Sequence, residues 1–492
     1  MTDAGGPVVR RPVRLAQAAV AVLLVIKLWM TVMAPPVGDE AYYWMWGQKP
    51  GWSYLDHPPL HAWLLGLMSV FGWNMFSLRA LTWATLAGTL WIFWLWAKRL
   101  RPDDPGAWWW PGAAIYLATP LFFTMTWLAF HDHLLIFLCL ASATGFLLFA
   151  EKWEADSKGL PWLYGAAALL GLAVLTKYNA VLLGIGVALF FIAHRPLRSA
   201  WRSPHLYLAA LLAVAMQAPV IWWNLGEGFA SVNFHLSERW GGPLSRLRPL
   251  NVLNFAALAL IFVSPFLFPA IWGMVRRPLG QPFADRARIL ALSVLGVSSL
   301  ALLALSLLAE VYFYWNIVAF LLLMPLVAGW KQRRWLMLAQ LAYGLIFALL
   351  SVVNFTIAPV TNLFGGNDWT VASTYGWPQV ASRVSELERE HDVGFVAAAR
   401  YTTAAQLGFA LRDADVTAIA DRHDQYDYWF DPEAHLGQSA LIVSDPQIGV
   451  RQIEPYFDSL ERLEDIAFER FGKVIYRARI YLGTGFRGLP QR

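Results

Sequence analysis

Apolar residues in this chain fall in long unbroken runs, most of about 18 to 24 residues, the length a helix needs to cross a hydrocarbon core of about 30 Å. The runs lie near 15–34, 78–97, 107–126, 132–150, 161–176, 179–194, 205–223, 251–274, 289–309, 312–330 and 335–356, which predicts about eleven transmembrane helices. The stretch 60–72 is apolar but too short for a span, and reads as a re-entrant or interfacial helix or the first part of a long second helix. After Asn354 the pattern changes. From about Thr361 charge is ordinary, and helices at 378–391 and 401–411 alternate with strands at 393–398, 415–420, 440–444, 465–470 and 473–481. Such alternation predicts a small sheet packed with helices. The expected fold is a polytopic α-helical membrane protein with a C-terminal extracytoplasmic α/β domain. Residues 1–14 form a cytoplasmic tail, 15–359 a transmembrane domain with a first outer loop at 35–77, and 360–492 a soluble periplasmic domain.

Composition agrees: 58% of the 492 residues are hydrophobic and only 14% are charged, against about 25% charged in soluble domains. The net charge of +5 is not a nucleic-acid signal, because the basic residues lie in short loops between apolar runs. Cys139 is the single cysteine, which excludes an intramolecular disulfide and a cysteine metal cluster. Arg10, Arg11 and Arg14 precede the first run in the manner of a signal anchor.

Sidedness follows from the same charges. One set of ends carries Lys98, Arg99, Arg101, Lys152, Lys158, Arg195, Arg198, Arg202, Arg276, Arg277, Arg286, Arg288, Lys331, Arg333 and Arg334; the opposite set has only Lys49, Lys177, Arg239, Arg246 and Arg248. The positive-inside bias therefore puts the N-terminus in the cytoplasm and the C-terminus outside it. Nearly all the reactive side chains then face outward. Asp39, Glu40, Asp56 and His57 lie in the first outer loop, His131-Asp132-His133 opens the fourth run, and Lys177-Tyr178-Asn179 breaks a pair of runs. His235, Glu238 and Arg239 occupy the loop 224–250, and Glu310 lies between two late runs without a defined role. Paired carboxylates at a membrane boundary are expensive to hold and mark a place where charge is used, although two solvated loop acids would read the same way. Asp132 also reads as a helix N-cap. The aromatics Tyr42, Tyr43, Trp44 and Trp46 suit headgroup depth, either as a belt or as a flat amphipathic helix shaping a lipid entrance. Asp421-Arg422-His423-Asp424-Gln425-Tyr426-Asp427 reads equally as a sugar-facing loop or a capped surface loop.

Gly38-Asp39-Glu40-Ala41-Tyr42-Tyr43, Asp56-His57-Pro58-Pro59-Leu60, Asp132 and Thr176-Lys177-Tyr178 occur in an order that resembles the integral-membrane glycosyltransferases of the glycosyltransferase-C superfamily. The likeness is to the bacterial family 39-like branch, with protein O-mannosyltransferases and the aminoarabinose transferase that modifies lipid A. Phe234-His235, Tyr314-Trp315, Arg400-Tyr401 and Gln425-Tyr426-Asp427 extend it over nearly the whole chain. The resemblance implies an inverting hexosyl- or pentosyltransferase that takes sugar from a polyprenyl-phosphate donor. The acceptor would be lipid A, lipopolysaccharide core, another glycan or a protein, at the periplasmic side of a bacterial inner membrane. It makes Asp39 the general base, Glu40 its helper and Asp132 a further site acid. The leaving phosphate needs positive charge or hydrogen-bond donors, and Lys177 and Arg239, with His57 and His235, are the candidates. Where the aminoarabinose transferases have Glu-Lys-Pro-Pro, this chain has Asp56-His57-Pro58-Pro59, a weaker charge at the second position. No cofactor is required; a divalent metal is the one candidate, with Asp56, His57, His131 and His133 as ligands or else as satisfied interfacial side chains. The expected partners are the lipid-linked donor, the acceptor and membrane lipids, with no nucleic acid. A transporter or flippase of lipid-linked sugars is the alternative, and would place charges at mid-span in paired halves.

Overall fold

The computed structural model describes residues 7–239, 247–328, 334–366, 368–420 and 422–489. Five described helices are long and apolar enough to cross a membrane: Pro12–Met33, Met75–Leu100, His131–Asp156, Pro282–Ser306 and Arg334–Ile357. Three further pairs are bent at a short break, and counting each pair as one span brings the total to eight. The protein is thus helical and polytopic, with five to eight apolar spans among the described residues. The expected eleven is reached only by adding three runs that the backbone shortens or interrupts. The run at 107–126 splits into Gly106–Leu117 and Pro120–Met125, because proline lacks the amide that would continue the ladder. Leu160–Thr176 has 17 residues, about 25 Å of helix at 1.5 Å per residue. The run at 312–330 becomes the short pieces Phe313–Asn316, Ile317–Leu321 and Met324–Val327.

The chain divides into two compact units, one of residues 1–28, 57–61 and 81–349, the other of 29–56, 62–80 and 350–492. In the first unit, His131–Asp156 packs along Leu160–Thr176. Gly145 faces Ala166 so closely that a Cβ there would lie 2.8 Å from the alanine methyl, and Ser142 donates to the Ala166 carbonyl at 2.8 Å. Small residues and a hydroxyl at a helix contact are what close packing in lipid requires. Helix ends carrying basic residues gather on two glutamates: Arg99 pairs with Glu151, and Arg286 and His194 reach Glu154 at 2.9 and 2.7 Å.

The second unit contains a five-stranded sheet in the order β2-β1-β3-β5-β4. Its strands are β1 (Phe395–Ala398), β2 (Thr417–Ala418), β3 (Ala440–Ser444), β4 (Ser459–Arg470) and β5 (Lys473–Thr484). β2, β1 and β3 run parallel, while β5 pairs antiparallel with both β3 and β4. β1 and β3 are buried at every position, as expected of parallel strands covered on both faces. Phe395, Ile442, Phe457 and Phe486 fill the core beneath them. β4 begins earlier than its sequence pattern suggests, because Ser459–Glu464 alternates poorly; its many charges protect an exposed edge.

Candidate functional site

In the second unit, the helix Gly38–Gln48 is buried from Glu40 to Gly47. It can lie against the helix Tyr401–Leu411 because residue 38 has no side chain: a Cβ would sit 2.8 Å from that of Thr402. The two expected acids occupy its first turn, where free amides and the helix dipole favour negative charge. Their surroundings differ. Glu40 is fully buried, accepts from the Val37 amide at 3.0 Å and is clasped by Arg79, Nε to Oε1 at 2.9 Å and Nη2 to Oε2 at 2.6 Å. Arg79 also donates to the carbonyls of Met30, Thr31, Ala34 and Pro35 at 2.9 to 3.2 Å. These lie at and just past the end of the first long helix, where the last carbonyls lack helical partners, although Met30 also accepts from the Ala34 amide at 3.0 Å. Arg79 thus ties that end to the start of the next helix, whose first turn also carries Asp39.

Asp39 is only half-buried. The Tyr401 hydroxyl donates to its Oδ1 at 3.3 Å. Burial, and then the charge of Asp39, push the Tyr401 hydroxyl well above its ordinary pKa, so it keeps its proton and remains a donor. Asp56 and Arg422 share the same electrostatic neighbourhood, both acting on Tyr401 and on each other. Arg422 lies over the Tyr401 ring at 5.1 Å. Tyr42 lies tilted against Tyr401, ring centroids 4.7 Å apart, and accepts from the Gln425 amide at 2.9 Å, while Gln425 accepts from the Leu55 amide at 2.8 Å. The segment after Asp421 therefore holds residues 42–55 in shape; Asp421 itself lies outside the described residues.

The first unit holds the remaining expected residues. Lys177 follows the last turn of Leu160–Thr176 and forms a buried ion pair with Asp132, its Nζ 2.9 and 2.8 Å from the two carboxylate oxygens. The ammonium also lies over the Tyr314 ring at 4.9 Å. Asp132 lies inside the first turn of His131–Asp156, whose N-cap is Phe130 with no side-chain cap, so it is not the cap its sequence position suggested; its carboxylate is engaged by Lys177 instead. Lys177, His57 and His235 line one cavity of about 480 Å³, whose other walls include Leu182, Val220, Leu302 and Leu305. It is an apolar groove with basic and polar side chains on its wall. Behind it the histidines pack ring to ring: His57 on His131 at 4.3 Å, His131 on His61 at 4.6 Å. His61 and His133 approach at 3.2 Å through their Nε2 atoms, and His133 Nδ1 reaches the Thr85 hydroxyl at 3.0 Å. Among the described residues, no group of three or more His, Cys, Asp or Glu is arranged to hold a metal ion. The Arg239 side chain lies outside the described residues.

Sequence reasoning did not single out Arg79 or His61, and it named Tyr401 and Arg422 only within longer stretches, without the contacts found here. A lone arginine at the start of an apolar run was the available signal for Arg79, since such a charge needs a partner. Tyr401 and Arg422 carried no spacing signal, because their roles depend on segments far apart in the chain.

The family model for dolichyl-phosphate-mannose-protein mannosyltransferase matches residues 56–223. Lipid A galacturonosyltransferase RgtD of Rhizobium johnstonii is 26% identical over 425 residues, covering 82% of this chain and 85% of that protein. The crystal structure of ArnT from Cupriavidus metallidurans in the apo state superposes with a TM-score of 0.63 at 16% identity, covering 96% of this chain and 98% of that one. The same protein bound to undecaprenyl phosphate gives 0.62 at 16% identity, covering 96% and 99%. At that identity the likeness to ArnT concerns the fold. Residues 56–223 thus resemble the dolichyl-phosphate-mannose-protein mannosyltransferases, most of the chain resembles the lipid A galacturonosyltransferase RgtD, and its fold is like that of ArnT.

Proposed function

We propose that the protein is an inverting glycosyltransferase that moves a sugar from a polyprenyl-phosphate carrier to lipid A at the periplasmic face of a bacterial inner membrane, with its N-terminus in the cytoplasm. The observation that carries this reading is the apolar groove with Lys177 and two histidines on its wall. Its character suits a ligand that is hydrocarbon along its length and anionic at one end. A prenyl chain against Leu182, Val220 and Leu302 gains from apolar contact, and the phosphate gains a charge-assisted hydrogen bond from Lys177. The relative RgtD is named for lipid A, and the ArnT structure holds undecaprenyl phosphate; both support the choice of acceptor and donor class.

Asp39 is the general base in this reading. The acceptor hydroxyl oxygen attacks the anomeric carbon as the bond from that carbon to the phosphate oxygen breaks, and the hydroxyl proton passes to the Asp39 carboxylate. The polyprenyl phosphate leaves as a weakly basic anion, so no general acid is needed, and Lys177, His57 and His235 meet its developing charge. If the acceptor is a phosphate of lipid A, already ionised, Asp39 orients it instead. Asp132 is a positioning residue that acts through Lys177. Glu40 and Arg79 act through the helix that carries Asp39.

The test incubates purified protein with a radiolabelled undecaprenyl-phosphate sugar and lipid A. Label should enter the lipid A fraction with the wild-type protein and not with Asp39→Asn. Mass spectrometry of envelope lipids from a deletion strain should show one missing sugar substituent on lipid A. Envelope lipids unchanged from those of the parent strain, or transfer at wild-type rate by Asp39→Asn to a hydroxyl acceptor, would overturn the assignment.

A further inference from the structure

A second cavity, of about 410 Å³, lies wholly within the second unit, beside the edge strand β2. Its volume falls within the range of about 300 to 1,000 Å³ typical of small-molecule sites. Its walls combine three kinds of group. Trp429, Phe430 and Tyr426 supply aromatic surface, and Trp429 is only half-buried, leaving part of its ring open. Glu388, Asp413, Asp415 and Asp431 supply carboxylates. Two buried hydroxyls, Thr417 Oγ1 and Tyr426 OH, have no hydrogen-bond partner among the described residues, and both residues line the cavity while being 3% and 1% exposed. A buried hydroxyl left without a partner is costly, and two beside one cavity call for a ligand that completes them.

We infer that this cavity is a binding site for a neutral or amino-substituted sugar ring. The weakly polarised C–H face of a pyranose lies flat on an indole, while its rim of hydroxyls needs the directional acceptors and donors that carboxylates, threonine and tyrosine provide. Charge narrows the class. Four carboxylates face two basic groups, and both of these are engaged: Lys49 pairs with Asp415 at 2.9 Å, and His435 lies on Phe430 and hydrogen bonds Gln438 at 2.8 Å. Burial and the nearby Asp413 hold the Glu388 carboxyl above its ordinary pKa, which a cationic neighbour would relieve. An amine is therefore favoured in this cavity, and a uronate or sugar phosphate is repelled. The site needs no lipid-linked donor, so it stands or falls separately from the transfer reaction proposed above.

The test is saturation-transfer NMR on the full-length protein in detergent, with glucosamine, N-acetylglucosamine and galacturonate as probes. Glucosamine and N-acetylglucosamine should receive saturation at their ring protons, and galacturonate about tenfold less at equal concentration. Trp429→Ala should abolish the signals, while Asp39→Asn should leave them unchanged. Tyr426→Phe and Thr417→Val should each weaken glucosamine binding about fivefold without lowering the melting temperature, since each removes a hydroxyl the ligand-free protein does not use. Equal saturation of galacturonate, or glucosamine binding that survives Trp429→Ala, would overturn the site. So would a fall in melting temperature with undiminished binding in Tyr426→Phe and Thr417→Val. Failure of lipid A labelling with these binding results intact would overturn only the transfer reading.

Discussion

Two buried ion pairs, Glu40 with Arg79 and Asp132 with Lys177, begin alike and end in different uses. Each carboxylate stands in the first turn of a helix, and each side chain is nearly or wholly shielded from solvent. Arg79 spends its guanidinium on two carboxylate oxygens and four main-chain carbonyls, so the pair is a joint between helices. Lys177 has the simpler ammonium, and it forms part of a cavity wall as well as facing its carboxylate. A planar fork suits several fixed acceptors at once; a compact point charge on a flexible stem can serve a partner and a visiting anion in turn. Burial alone therefore does not distinguish the two pairs. The presence of space beside the cation does.

The largest expected effect tests the structural member. Arg79→Ala strands a buried carboxylate and the carbonyls of a helix end, and should cost about 3 to 5 kcal/mol. Thermal unfolding and gel filtration in detergent should show a destabilised or aggregated protein, whereas Glu40→Leu with Arg79→Met should recover much of the loss. Next is Asp39→Asn, with a fall of about 10² to 10⁴ in transfer rate to a hydroxyl acceptor, and a melting temperature close to wild type. The working pair should behave in the opposite way to the structural one. Replacing Asp132 with Leu and Lys177 with Met together should preserve folding but raise the donor KM about tenfold or more, through loss of a charge-assisted contact. If that double variant keeps the wild-type donor KM, Lys177 does not hold the phosphate. The smallest effect belongs to Tyr401→Phe, which removes one hydrogen bond to Asp39 and should reduce kcat about fivefold, with unchanged donor KM.

The membrane class and the start of the C-terminal sheet were legible in the sequence because they rest on local patterns. Runs of apolar residues identify spans without reference to neighbours, and Phe395-Val396-Ala397-Ala398 reads as a buried strand from its own composition. Asp39 and Lys177 were legible as chemistry out of place beside apolar runs. The division of labour among the acids was not. Glu40 and Asp39 are adjacent and similar, and only the arrival of Arg79 and Tyr401, from distant parts of the chain, assigns one to packing and exposes the other. The number of spans is not confirmed at eleven, for a related reason. Hydropathy counts apolar residues but does not register that Pro120 restarts a helix, or that residues 313–327 fold into short pieces.

Arg79 also has a consequence for the order in which the chain is made. Synthesis delivers the first long helix before its counterpart, because chains emerge from the N-terminus. Until residue 79 has followed, the carbonyls of Met30, Thr31 and Ala34 and the carboxylate of Glu40 lack the group that matches them in the finished protein. The end of the first helix and the Glu40 carboxylate therefore reach their finished contacts only once residue 79 has been made. A chain stalled or cleaved before Arg79 would present an acidic, half-capped helix end to the quality-control machinery.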